Sequence, residues 1–140
     1  MTSIFPAVQP EAEETKTDAL PVCKEVAWDF DRGVPVYSAG MPVIVTRAAA
    51  VRVWIWKALK TARCAYDIYT WDYGCEIENL VGQAYSAQIK EQEAVRYIRE
   101  ALMTNPYITD VRQIDVSFGE SELQIACKVM TIYGEVDVNV

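Results

Sequence analysis

Histidine is absent from this chain, and that absence alone removes much chemistry. It takes away the commonest general base, the Ser-His and Cys-His pairs, and most catalytic zinc arrangements. Glycine is sparse and dispersed, at six residues, so neither a P-loop nor a GxGxxG cradle for nucleotides is present. No two of Cys23, Cys64, Cys75 and Cys127 form a CxxC unit, so the sequence implies no metal site and no cofactor. Basic residues are the minority, 13 Lys and Arg against 20 Asp and Glu, for a net charge of -7. They are scattered between acids, which argues against nucleic-acid binding. No apolar run approaches a membrane span. The start, MTSIFPAVQPEAEET, lacks the basic and apolar regions of a secretory signal. The cysteines then read as reduced cytoplasmic thiols, with Cys127 in a strand core.

What is present suits an ordinary folded protein. Its 140 residues are 51% hydrophobic and 24% charged, enough for one domain with a real core. Residues 1–24 read as an N-terminal arm, punctuated by Pro6, Pro10 and Pro21 and charged by Glu11, Glu13, Glu14 and Asp18. Such a segment cannot bury enough to fold alone. It is either a disordered terminus or an arm that orders on a partner. Residues 25–140 form the single domain.

Val26, Trp28 and Phe30 alternate with Ala27, Asp29 and Asp31, the pattern of a half-buried strand. Gly33 and Pro35 turn the chain, and Val36-Tyr37 and Val43-Ile44-Val45 suit short strands. Thr46 is the expected N-cap of a first helix over 47 to about 62, whose core stripe is Val51, Trp54, Ile55, Ala58 and Leu59. Val53 and Trp56 fall beside that stripe, and Trp56 suits either packing within the chain or a partner interface. Residues 64–74, CAYDIYTWDYG, read as an irregular crossing segment, followed by a short helix over 76–81. Ser86 caps a long helix with Ile89, Val95, Ile98 and Leu102 on one side, stopped by Pro106. The last third is β. Ile114, Val116 and Phe118 alternate, Gly119-Glu120-Ser121 turns, and Leu123, Ile125, Cys127 and Val129 alternate back. After Gly134, Val136, Val138 and Val140 form a last strand with nothing following to cover it, which makes it a pairing surface. The expected class is α+β: a small, mostly antiparallel sheet with a C-terminal hairpin, packed against two main helices.

Acid chemistry is the remaining catalytic option. Asp72, Glu76 and Glu78 are the nearest group, but Glu76 and Glu78 are two apart and do not share a helical face. Solvated surface acids are the ordinary explanation. Lys57 and Lys60 beside tryptophans read as a solvated helix face rather than a cation-binding site.

The order of elements nevertheless resembles a known family. The runs VWIWKALKTAR, IYTWDYG, NPY and TIYGEV occur in the order found in the baseplate wedge family that initiates the sheath of contractile phage tails. Relatives of that family occur in phage-tail-like bacteriocins and type VI secretion baseplates. The likeness is greatest to the branch in Gram-positive phages and defective prophages, and it covers about residues 25–140. Much of the family has Arg-Pro-Asp-Phe-Gly where this chain has YTWDYG, so Asp72, an aromatic at Tyr73 and Gly74 are kept. The family's Glu-Pro-Arg motif falls on Asn105, Pro106 and Tyr107, where only the proline agrees. An ionic contact is therefore not carried over, although an amide and a phenol can still hydrogen-bond there.

The resemblance implies a structural, non-enzymatic part of a tail baseplate, assembled in the bacterial host cytoplasm. It implies six copies per baseplate, held by wedge proteins near the tail tube or the spike and hub proteins. The sheath protein then docks by strand exchange, which is β-augmentation. The docking candidates are Leu123, Ile125, Val129, Ile132, Val136, Val138 and Val140. The wedge-contact candidates are Arg63, Trp71, Asp72, Tyr73, Gly74, Asn105, Pro106 and Tyr107. Deleting Glu135 to Val140 is expected to leave a folded protein that cannot nucleate sheath. An older family label points instead to a lysozyme-like cell-wall glycoside hydrolase working through Asp72 or Glu76. A stand-alone regulatory binding module is the third reading.

Overall fold

The computed structural model describes residues 20–61, 68, 73–80, 84–119 and 123–140. Arg63, Trp71 and Asp72 lie outside the described residues, as do residues 1–19 and the expected turn residues Glu120 and Ser121.

The first β segment is three short two-stranded pairs, a stem enclosing two successive hairpins. β1 (Lys24–Val26) pairs antiparallel with β6 (Ile44–Thr46), β2 (Trp28–Asp29) with β3 (Val34–Pro35), and β4 (Tyr37–Ser38) with β5 (Met41–Pro42). The expected strand over Val26 to Asp31 is thus broken at Ala27, and Phe30 sits in the turn after β2. Asp29 causes that turn, because its Oδ1 accepts from the backbone N–H groups of Asp31 and Arg32.

Helix α1 (Ala48–Lys60) follows β6 directly. Thr46 is the last residue of β6 and does not cap it; Arg47 holds the N-cap position, with φ 58 and no side-chain cap bond. The buried face is Ala50, Val51, Val53, Ile55, Ala58 and Leu59. Val53 lies inside and Trp54 is only half-buried, the reverse of the expected order, because the layer against α1 is wider than one stripe. Trp56 packs within the chain, against Trp28 and Phe30 at centroid distances of 6.0 and 5.9 Å.

A single 3-10 turn (Ile77–Leu80) stands where a short helix was expected. Helix α2 (Ala87–Met103) is capped by Ser86, whose hydroxyl accepts from the Ile89 N–H. Ala94, Ile98, Ala101 and Leu102 are its buried face. Ile89 is 47% exposed, against expectation. The helical repeat fixes its side of the helix but cannot supply an element opposite the first turn.

The main sheet is β7 (Ile108–Phe118), β8 (Leu123–Thr131) and β9 (Gly134–Asn139), antiparallel in the order β7-β8-β9. The fold is α+β, with two helices and a C-terminal antiparallel sheet. Ile125, Cys127, Val129, Val136 and Val138 turn one face of that sheet into a core shared with Val51, Ile55, Ile98 and Leu102. Each such side chain contributes about 1.5–3 kcal/mol by leaving water. Cys127 is buried as expected, and burial raises its thiol pKa to about 11. No described helix is long and apolar enough to cross a membrane.

Candidate strand-docking site

A sheet edge offers unpaired main-chain groups, so the two outer strands of the main sheet need separate attention. β7 is interrupted. Its pairing with β8 shifts register between Ile108 and Asp110 and again between Arg112 and Asp115, and Gln113 has φ 51. Such bulges twist and blunt an edge. β9 is regular, with six successive partners from Ala126↔Asn139 to Thr131↔Gly134. Gly134, at φ 113, makes the tight return from β8 possible.

Register decides which β9 groups are free. Val140 and Ile125 exchange both main-chain hydrogen bonds, each 2.8 Å. Antiparallel alternation then makes Val138/Cys127 and Val136/Val129 the other bonded pairs. The N–H and C=O groups of Glu135, Asp137 and Asn139 therefore point away from β8. Among the described residues no strand pairs with that side.

A groove of about 540 Å³ runs along this edge. Ala49 and Val53 of α1 and Val136 of β9 give it an apolar floor, and Trp28, Phe30 and Arg52 form its far side. The Arg52 guanidinium lies 5.1 Å from the Phe30 ring centroid, and Lys57 Nζ lies 4.7 Å from that of Trp28. Trp28 Nε1 is buried without a hydrogen-bond partner among the described residues. A larger cleft of about 890 Å³ lies between α2 and the sheet, between Val95 and Ile114 among others. It crosses all three strands and meets β9 only at its end, at Asn139 and Val140.

The sequence candidates fall in three places. Ile125, Val129, Val136 and Val138 are in the sheet but face the helices and are buried. Leu123 and Val140 are partly buried against the same core. Ile132 is not in a strand; it is exposed in the turn between β8 and β9. The groups that face outward from β9 are instead those of Glu135, Asp137 and Asn139, which side-chain patterning passed over. The alternating valines tell which side chains leave the core face, but which main-chain groups are free follows only from the register with β8.

The expected wedge-contact residues separate too. Tyr73 packs edge-on against Trp54 at 5.9 Å, and Gly74 is buried with φ 103, the positive value that glycine allows. Asn105 is buried, and its Oδ1 accepts from the Tyr107 N–H. Pro106 is exposed on the turn between α2 and β7. Tyr107 donates its hydroxyl to the Pro21 carbonyl and stacks on Tyr133, whose hydroxyl accepts from the Cys23 N–H. Burial raises the Tyr107 phenol pKa, keeping it a donor. The amide and phenol at the Glu-Pro-Arg position thus bond within the chain, and they tie down residues assigned to the arm. Of the acids considered for hydrolysis, Asp72 is outside the described residues and Glu76 is half-buried with a partner of its own.

The family of contractile injection system sheath initiators matches residues 24–134. The chain belongs to that family. It is also similar to the phage-like element PBSX protein XkdS of Bacillus subtilis (strain 168), with 24% identity over 137 residues, 97% of this chain and 94% of the relative. Membership makes this sheath initiator a structural component of a contractile tail system. The match starts at the first residue of β1 and ends at the first residue of β9.

Proposed function

We propose that this protein templates the first sheath ring by accepting a strand of the sheath subunit along β9. The observation that supports this most is the regular open edge of β9 beside an apolar-floored groove. An added strand there gains main-chain hydrogen bonds from Glu135, Asp137 and Asn139 and packs alternate side chains on Ala49 and Val53. The valines of β9 serve by holding the strand to the core, not by touching the sheath. The segment holding Arg63, Trp71, Asp72, Tyr73 and Gly74, together with the exposed Pro106, supplies the candidates for holding by baseplate wedge proteins. Six copies around the tube would present six such edges.

Truncation is a poor test, because Val136 and Val138, 7% and 3% exposed, belong to the core. Deleting Glu135 to Val140 would remove core packing along with the edge. Asp137→Pro is the selective test. It deletes one outward N–H without removing a bond to β8, which an edge strand tolerates. The expected result is a folded protein that neither binds sheath subunits nor supports sheath polymerisation on assembled baseplates. Full-length sheath on baseplates carrying the variant would overturn the proposal.

A further inference from the structure

The outer face of the main sheet carries charge in an order that no packing need explains. Lys128 stands in the middle strand, opposite Asp137 in register, and its Nζ reaches Glu135 Oε1 at 3.3 Å. On the other side, Lys128 is opposite Arg112 of β7. Cations thus occupy β7 and β8 at this level, and the carboxylates of Glu135 and Asp137 occupy the open edge. Both acids are exposed, and their own main-chain groups face outward. Lys128 is ion-paired with Glu135, and among the described residues Asp137 has no ion pair. The inner side of the same edge is different in kind: Ala49 and Val53 of the groove floor are uncharged.

We infer that the strand accepted by β9 is amphipathic, with Lys or Arg on the face beside Glu135 and Asp137 and small apolar side chains on the face over Ala49 and Val53. This rests on the strand-docking reading above and adds the chemistry by which one strand is chosen over another. Main-chain bonds take any sequence, so selection must come from side chains on the two faces. Residues directly opposite across an antiparallel or parallel pair are close enough for charge to count, and like charges there are unfavourable. An acidic or neutral outer face leaves the second carboxylate without a partner. A charged inner face would be buried against alanine and valine, which is costly. A basic sheath strand sets cations beside the two carboxylates of the open edge, on the side away from Lys128.

The test uses the full-length chain and the sheath subunit encoded with it, held monomeric. Affinity is measured for wild type, Glu135→Gln/Asp137→Asn, Glu135→Lys/Asp137→Lys and Asp137→Pro, with Asn139→Pro as a second main-chain variant should Asp137→Pro not fold. The neutral double variant is expected to bind about two- to thirty-fold more weakly at low salt, as two cross-strand charge pairs would give. Its affinity should also vary less with salt than that of wild type. The reversed variant is expected to bind more weakly still. If both charge variants bind as wild type does while the proline variants lose binding, the basic-strand inference is overturned and strand docking stands. Tighter binding by the neutral or reversed variant also overturns it, and would mark an acidic strand. If the folded proline variants bind normally, strand docking on β9 itself is overturned.

Discussion

Tyr107 stacks on Tyr133 with ring centroids 6.1 Å apart and an interplanar angle of 17°, and the two hydroxyls grip the same short segment from two strands' ends. Tyr107 holds the Pro21 carbonyl and Tyr133 holds the Cys23 N–H. Cys23 is buried, and its carbonyl in turn accepts from the Arg47 N–H at 2.9 Å. Entry into β1, the start of α1 and the β8–β9 turn are thereby linked. Tyr133→Phe removes the one acceptor shown for the Cys23 N–H and is expected to destabilise the fold by about 0.5–1.5 kcal/mol. Tyr107→Phe should have a smaller effect, since its bond lies nearer solvent. Urea midpoints at constant m-value decide between them.

The stacked pair also shows what the sequence could and could not say. The NPY stop was legible as a helix end, because proline cannot continue the helix past its preceding residue. Where Asn105 and Tyr107 direct their polar atoms was not legible, because their partners lie 2 to 86 residues away. The alternating valines of β9 mark a strand, but as docking candidates they are misplaced, because Val136 and Val138 are buried against the helices. Which main-chain groups are free depends on the Val140–Ile125 register, a pairing that no local pattern encodes. Trp28, Phe30 and Trp56 are visible as aromatics in the sequence, yet only the packing of the β2–β3 hairpin beside α1 brings them together and puts Trp28 and Phe30 on the groove wall.

The carboxylate of Asp110 joins two cations. The Arg112 guanidinium at 2.8 Å, then the Val111 N–H, hold its pKa below the usual carboxylate range, and Arg99 adds to this at 2.8 Å. A depressed folded pKa means that the unfolded chain takes up the proton first as pH falls. The stabilisation is therefore present above about pH 4 and is lost on further acidification, through the folded-state value. Asp110→Asn should lower the denaturation midpoint at pH 7, and the gap to wild type should close at lower pH. A gap that stays constant down to pH 2 would contradict this.

Cys127 titrates in the opposite sense. Its thiol is raised to about 11 by burial, above the ordinary value of 9.0. Between those values the unfolded chain loses a proton that the folded chain keeps, so stability from this site is intact below about pH 9 and falls as pH rises toward 11. The stability difference between wild type and Cys127→Ala should therefore shrink across that window. Chemical denaturation at pH 8, 9.5 and 11 under reducing conditions measures it, and a pH-independent difference would be the contrary result.

Arg47 begins α1 in a conformation that suits glycine better, φ 58 with ψ -131. A non-glycine residue in such a region carries strain of order 1–3 kcal/mol. The side chain is exposed, and no cap bond depends on it. The position is held from outside: the Arg47 N–H donates to Cys23, and its carbonyl accepts the first helical bond from Val51 at 3.0 Å. Both are main-chain bonds, so Arg47→Gly keeps them while removing the Cβ that causes the strain. Glycine adds freedom to the unfolded chain, which returns about 0.5–1 kcal/mol of the gain. The net expectation is a stabilisation of about 1 kcal/mol, read as a higher urea midpoint with an unchanged m-value. Arg47→Ala retains the Cβ and should show no such gain. Equal stability of the two variants would mean that α1 starts without strain at this residue.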